Sequence, residues 1–148
     1  MSILQKINGH DDLTALDDRQ RTQLCGEIRE FLISNVSKTG GHLAGNLGVV
    51  ELTVALETVY DTAKDRLVFD VGHQSYVHKI LTGRRDSFDT LRQLDGVSGF
   101  PKPCESNADP FLAGHASDSV SLAAGMARAR TLMHGNYDVV AVVKSEAK

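Results

Sequence analysis

Leu24, Ile28, Phe31 and Leu32 recur at helical spacing within the stretch from Asp17 to Val36, so one face of that stretch is apolar and the other polar. Asp17, followed three residues on by Gln20, has the form of a capping box and marks the start of the helix. Lys38-Thr39-Gly40-Gly41 ends it. Val49, Leu52, Leu56 and Val59 keep the same period and predict a second helix over Val49 to Tyr60. The run Arg66 to Asp70 is short, apolar and rich in strand formers, and it gives way to a loop at Val71-Gly72-His73. Short helices are predicted at Ser75 to Leu81 and Phe88 to Leu94, with Ser75 and Ser87 as N-caps.

Gly96 to Pro110 carries three prolines and two glycines and reads as a long loop. Ser117 to Met133 predicts a helix of small residues, able to approach a sheet or another helix closely. Tyr137 to Val143 holds four valines among seven residues and predicts a strand buried on both faces, as in a parallel sheet. Helix, strand, helix, strand in that order implies an α/β architecture, a parallel sheet flanked by helices. Two strands are fewer than the ~5–6 of an average sheet, so the sheet reads as cut short near Val143.

With 148 residues, the chain suits one domain. Its 41% apolar and 24% charged residues argue against disorder, and its net charge of −3 argues against a general nucleic-acid binder. Apolar runs fall short of the ~20 residues of a membrane helix and the N-terminus has no secretory pattern, so the expected compartment is the cytoplasm. Cys25 and Cys104 stand far apart without C-x-x-C spacing, and read as a helix-face thiol and a loop thiol.

Four of the six histidines directly follow a glycine: His10, His42, His73 and His115. Glycine permits turns and close approaches that other residues forbid, and imidazole donates, accepts or moves a proton near neutral pH. His42 sits in a glycine-rich run, His73 at a strand end and His115 before a helix start, and ligand sites in α/β sheets favour strand ends and helix N-termini. His10 reads as surface, and His78 and His134 as solvated helix residues. At Gly114-His115-Ala116-Ser117-Asp118-Ser119 the helix start favours an anion, with Ser117 and Ser119 as added donors. The alternative is that Ser117 or Asp118 only caps the helix. Lys79, Arg84 and Arg85 read as a solvated face, with Gly83 leaving room for a phosphate as the alternative.

Three runs carry a resemblance. GGHLAGNLGVVELTVAL at 40–56, DRLVFDVGHQSYVHKILTGRRDSFDTLRQLDGVSGFPK at 65–102 and AGHASDSVSLAAGMARAR at 113–130 resemble, in order and spacing, successive signatures of 1-deoxy-D-xylulose-5-phosphate synthases, which are transketolase-like enzymes. The resemblance covers roughly residues 15–143, about the first quarter of a complete family member. It implies a transferase that condenses pyruvate with glyceraldehyde 3-phosphate, releasing carbon dioxide and feeding isoprenoid, thiamine and pyridoxal synthesis. It also implies thiamine diphosphate, magnesium and a homodimer. By motif, His42 and His73 would lie beside the cofactor and the bound substrates, serving in proton transfer and in holding carbonyl and hydroxyl oxygens, with His73 also counted as cofactor-binding. Gly114, His115 and Ala116 would line the diphosphate end of the cofactor. Serine or threonine is frequent in the family where this chain has Ala116 and Asp118.

In the family the strand equivalent to Val139–Val143 runs into Gly-Asp-Gly, whose aspartate binds the metal. Here Lys144-Ser145-Glu146-Ala147-Lys148 follows, and no magnesium site is expected in this chain alone. Residues 1–148 are therefore expected to be an incomplete N-terminal part of a diphosphate-binding domain, inactive alone. Its open sheet edge predicts marginal folding or self-association. A non-catalytic module binding thiamine diphosphate, phosphate or another protein, and a subunit of a split synthase, stay open as alternatives.

Overall fold

The computed structural model describes residues 2–112 and 114–143. The tail Lys144 to Lys148 lies outside them. A short 3-10 turn at Leu4–Lys6 leads into α1 (His10–Thr14), α2 (Asp18–Thr39), α3 (Leu43–Leu47) and α4 (Val50–Val59). Then come β1 (Arg66–Phe69) and α5 (Tyr76–Lys79). A wide helical turn over Ile80–Arg84, kinked at Thr82 and Gly83, and a 3-10 stretch over Arg85–Thr90 follow. After a long irregular segment the chain closes with α6 (Asp118–Leu132) and β2 (Val139–Val142).

β1 and β2 pair in parallel, Arg66 opposite Val139 and Phe69 opposite Val142, with α6 packed on both. The fold is a partial α/β layer, as the order of elements predicts. β2 is half-buried except at Val142, not covered on both faces, because β1 is its one partner among the described residues. No helix among the described residues is long and apolar enough to cross a membrane.

α2 follows its pattern closely. Asp17 Oδ1 accepts the Gln20 N–H at 2.7 Å and the Asp17 N–H donates to Gln20 Oε1 at 2.9 Å, the reciprocal pair of a capping box. Leu24, Ile28, Leu32 and Val36 form its buried stripe, with Cys25 beside them, while Cys104 is exposed. In α4 the buried face is Val50, Thr53, Val54 and Glu57, rotated from the predicted one, and Leu52 and Val59 are exposed. Glu57 turns inward because its partners lie there.

The surroundings of Glu57 correct the solvated readings of this region. His78 is buried, not solvated. Its Nδ1 lies 2.5 Å from Glu57 and its Nε2 2.9 Å from Asp109, and the ring packs against Phe69. Lys79 and Arg84 are buried too and form no solvated face. Lys79 Nζ donates to Glu105 at 2.6 Å, and Arg84 grips Asp109 with two N–H donors at 2.5 and 3.0 Å. Arg85 turns to the N-terminal segment and donates to the carbonyls of Leu4 and Ile7. His10 is half-buried against the Glu57 carbonyl, while His134 is exposed.

Other expectations shift locally. Ser75 stands at the N-cap of α5 as expected, but its hydroxyl donates to the Gly72 carbonyl and makes no side-chain cap, and Ser87 lies inside the 3-10 stretch. No helix continues to Leu94, because Arg92 and Asp95 take left-handed backbone, φ 62° and 59°. The loop from Gly96 to Pro110 is held by its own acids. Glu105 accepts the Ser98 N–H and Asp109 the Lys102 N–H, at 2.7 and 2.6 Å.

The buried cluster sets Glu57, Glu105 and Asp109 against Lys79, Arg84 and His78, so charges balance when His78 carries its proton. Burial by itself disfavours that proton, but Glu57 and Asp109 outweigh it and hold the His78 pKa above its ordinary value. Folded, His78 binds its proton more tightly than unfolded. The stability this contributes is complete below about pH 6.5 and is lost as pH rises through the folded pKa. Denaturant midpoints should therefore fall over that alkaline window, and His78→Gln should remove that part of the slope. An unchanged slope in the variant would refute the assignment. For Asp109, burial alone would raise the pKa, but hydrogen bonds from His78 and Arg84 hold it far below the carboxylate range. Asp109→Asn leaves two buried cations short of a partner and should cost ~3–5 kcal/mol by chemical denaturation.

Candidate functional site

α2 ends where Gly40 turns left-handed, φ 74°, its N–H still bonded to the Val36 carbonyl. Gly41 follows at φ 145°, and a Cβ on it would meet the Tyr76 hydroxyl at 2.8 Å. Only glycine fits there. The chain then delivers His42 to the N-terminus of α3, its N–H donating to Tyr76 Oη at 3.3 Å.

His73 arrives by a second strained turn. β1 stops at Phe69, and Val71 and Gly72 both take positive φ, 63° and 72°. Left-handed backbone is costly for a β-branched residue, and such strain concentrates at functional sites. The turn brings His73 edge-on to His42, ring centroids 5.0 Å apart at 62°. Gly45 leaves the space: a Cβ there would stand 3.3 Å from His73 Nε2. His42 is exposed and His73 half-buried, so the pair faces solutes while its backbone is anchored. Two adjacent imidazoles can donate to, accept from and exchange protons with carbonyl and hydroxyl oxygens.

Asn46 is fully buried among these residues. Its Nδ2 donates to the carbonyls of His42 and His73, and its Oδ1 accepts the Tyr76 N–H. Sequence reading passed over Asn46 and Tyr76, because nothing local marks a polar side chain whose partners are distant backbone groups.

The predicted anion site at α6 differs from expectation. Ser117 is left-handed, φ 71°, and makes no side-chain cap. Asp70, at the end of β1, accepts the Ser117 N–H at 2.8 Å and the Ser119 hydroxyl at 3.0 Å. The chain's own carboxylate therefore occupies the helix start, and Ser119 serves it. Gly114, His115 and Ala116 are exposed, and the His115 imidazole, 91% exposed, lies 3.9 Å from Asp118. Asp70 hydrogen-bonds to Ser117 three residues before His73, so the 114–117 turn sits at the same strand end as the histidine pair.

A diphosphate at this turn would meet Asp70 and Asp118, with the His115 imidazole beside them. Those two carboxylates oppose the charge of a diphosphate. Among them no group of three or more His, Cys, Asp or Glu side chains is placed to hold a metal ion. The histidine pair suits proton transfer, but the described residues do not by themselves fit thiamine diphosphate.

A family model described as 1-deoxy-D-xylulose-5-phosphate synthase matches residues 4–147. A 1-deoxy-D-xylulose-5-phosphate synthase of Clostridium acetobutylicum is 54% identical over 142 residues, covering 96% of this chain and 23% of the relative. That of Clostridium kluyveri is 56% identical over 142 residues, with the same coverage. That of Lachnoclostridium phytofermentans is 57% identical over 141 residues, 95% of this chain and 23% of the relative. The chain thus spans just under a quarter of the length of these relatives.

Gly41→Ala must place a methyl group against the Tyr76 hydroxyl on backbone suited to glycine. It should cost ~1–3 kcal/mol and shift the ring resonances of His42. Wild-type stability and unchanged resonances would show that the tight approach is not needed.

Proposed function

The chain belongs to the 1-deoxy-D-xylulose-5-phosphate synthase family, and from that premise we propose that it is the N-terminal part of such a synthase's diphosphate-binding domain, incomplete and without turnover alone. In the whole enzyme the reaction condenses pyruvate with glyceraldehyde 3-phosphate, releases carbon dioxide and forms 1-deoxy-D-xylulose 5-phosphate. Magnesium and thiamine diphosphate serve it in a cytoplasmic homodimer.

The edge-on approach of His42 and His73 carries this reading. Two solute-facing imidazoles suit a reaction in which carbonyl and hydroxyl oxygens gain and lose protons. His42 and His73 move and hold those protons. Gly114, His115 and Ala116 contribute one wall of the diphosphate end, which needs positive charge from elsewhere to offset Asp70 and Asp118. Incompleteness is supported by the 23% coverage of the relatives. It is also supported by exposed Val120 and Leu132 on α6 and Met133 just beyond it, which await cover.

Fusing residues 1–143 to the remaining segment of the Clostridium acetobutylicum relative tests the proposal. The fusion should form 1-deoxy-D-xylulose 5-phosphate and the 148-residue chain alone should not. His42→Ala and His73→Ala in the fusion should each lower kcat/KM by roughly 10²–10⁴ with the fold intact. Turnover by the chain alone would overturn its incompleteness. Full activity in folded histidine variants would overturn their roles.

A further inference from the structure

We propose that Asn46 is the positioning residue of the histidine pair: one buried carboxamide clasps the backbone of both His42 and His73 and so sets the separation of their rings. Its two amide N–H groups go one to each carbonyl, at 2.6 Å for His42 and 2.8 Å for His73. Its oxygen accepts the Tyr76 N–H at 2.9 Å. The orientation of the amide is determined by its surroundings. Reversed, it would set its oxygen against two carbonyls and its nitrogen against an N–H.

A carboxamide suits this place for a definite reason. The two carbonyls lie on segments far apart in sequence, one at the start of α3 and one after the strained turn beyond β1. Neither segment's backbone can bridge the other, since both partners offer acceptors. An element with two divergent donors is required, and an acceptor must meet the N–H behind it. Aspartate would present oxygen to oxygen, and leucine would remove all three bonds at once. With Tyr76 Oη on the His42 N–H and Gly45 giving space to the His73 ring, the rings keep little freedom beyond their own torsions.

What makes this more than a satisfied core amide is where its bonds end. Both donors go to the residues that carry the imidazoles. The consequence for catalysis rests on the reading of His42 and His73 as proton-transfer residues, but the clasp itself does not.

The test is magnetic resonance on the labelled 148-residue chain, which needs no activity. The wild type should show a cross-peak between the rings of His42 and His73. The Asn46 side-chain amide protons should exchange about tenfold or more slowly than those of exposed Asn136. Asn46→Ala and Asn46→Asp should lose the cross-peak and move both ring signals, while the signals of His78, held in the other cluster, stay in place. A folded Asn46→Ala that keeps the cross-peak would overturn the proposal. If neither variant folds, wild-type exchange decides: protected amide protons support the clasp, and exchange as fast as Asn136 rejects it. An inactive fusion enzyme would count against the synthase reading and leave this result untouched.

Discussion

The carboxylate of Asp109 is the constraint on which most of the fold depends. It takes two donors from Arg84, one from His78 and the Lys102 N–H, with Lys79 at 3.6 Å. Through His78 it reaches Glu57 on α4, and through Glu57 the hydroxyl of Thr62. One residue of an irregular loop thus joins α4, α5 and the turn after it. Buried charge is tolerated because each carboxylate has a cation and each cation a carboxylate. Such a cluster is costly to break at any one member, which gives the long loop a fixed place despite its lack of regular structure.

The same cluster shapes the site. α5 begins directly after the turn that carries His73, so anchoring His78 and Lys79 anchors the far end of that turn. Tyr76, fully buried on α5, then supplies both its hydroxyl to His42 and its N–H to Asn46. The histidine pair stands on a rigid base at one side and is open at the other. Strain at Val71 and the close approach at Gly41 are held by this surrounding packing.

At the opposite edge the structure thins. β2 is half-buried and α6 presents large apolar side chains to solvent. The start of α6, a natural place for a ligand anion, is already bonded to Asp70. Synthase relatives are about four times longer than this chain.

Much was legible in the residues alone. The capping box at Asp17 and Gln20, the stripe of α2, both strands and the helix after Ser117 follow from local pattern, because hydrogen bonds between near neighbours and burial of one face act over a few residues. The glycine-histidine pairs marked His42 and His73 for the same reason: the turn that needs glycine is encoded beside the side chain it aims. Only tertiary structure decided that His78, Lys79 and Arg84 are buried, that α4 turns Glu57 inward, that Asp70 holds the start of α6, and that Asn46 joins two loops. In each case the partner lies far along the chain, and a polar residue reads as solvated until the fold brings its counter-charge or its carbonyl within reach.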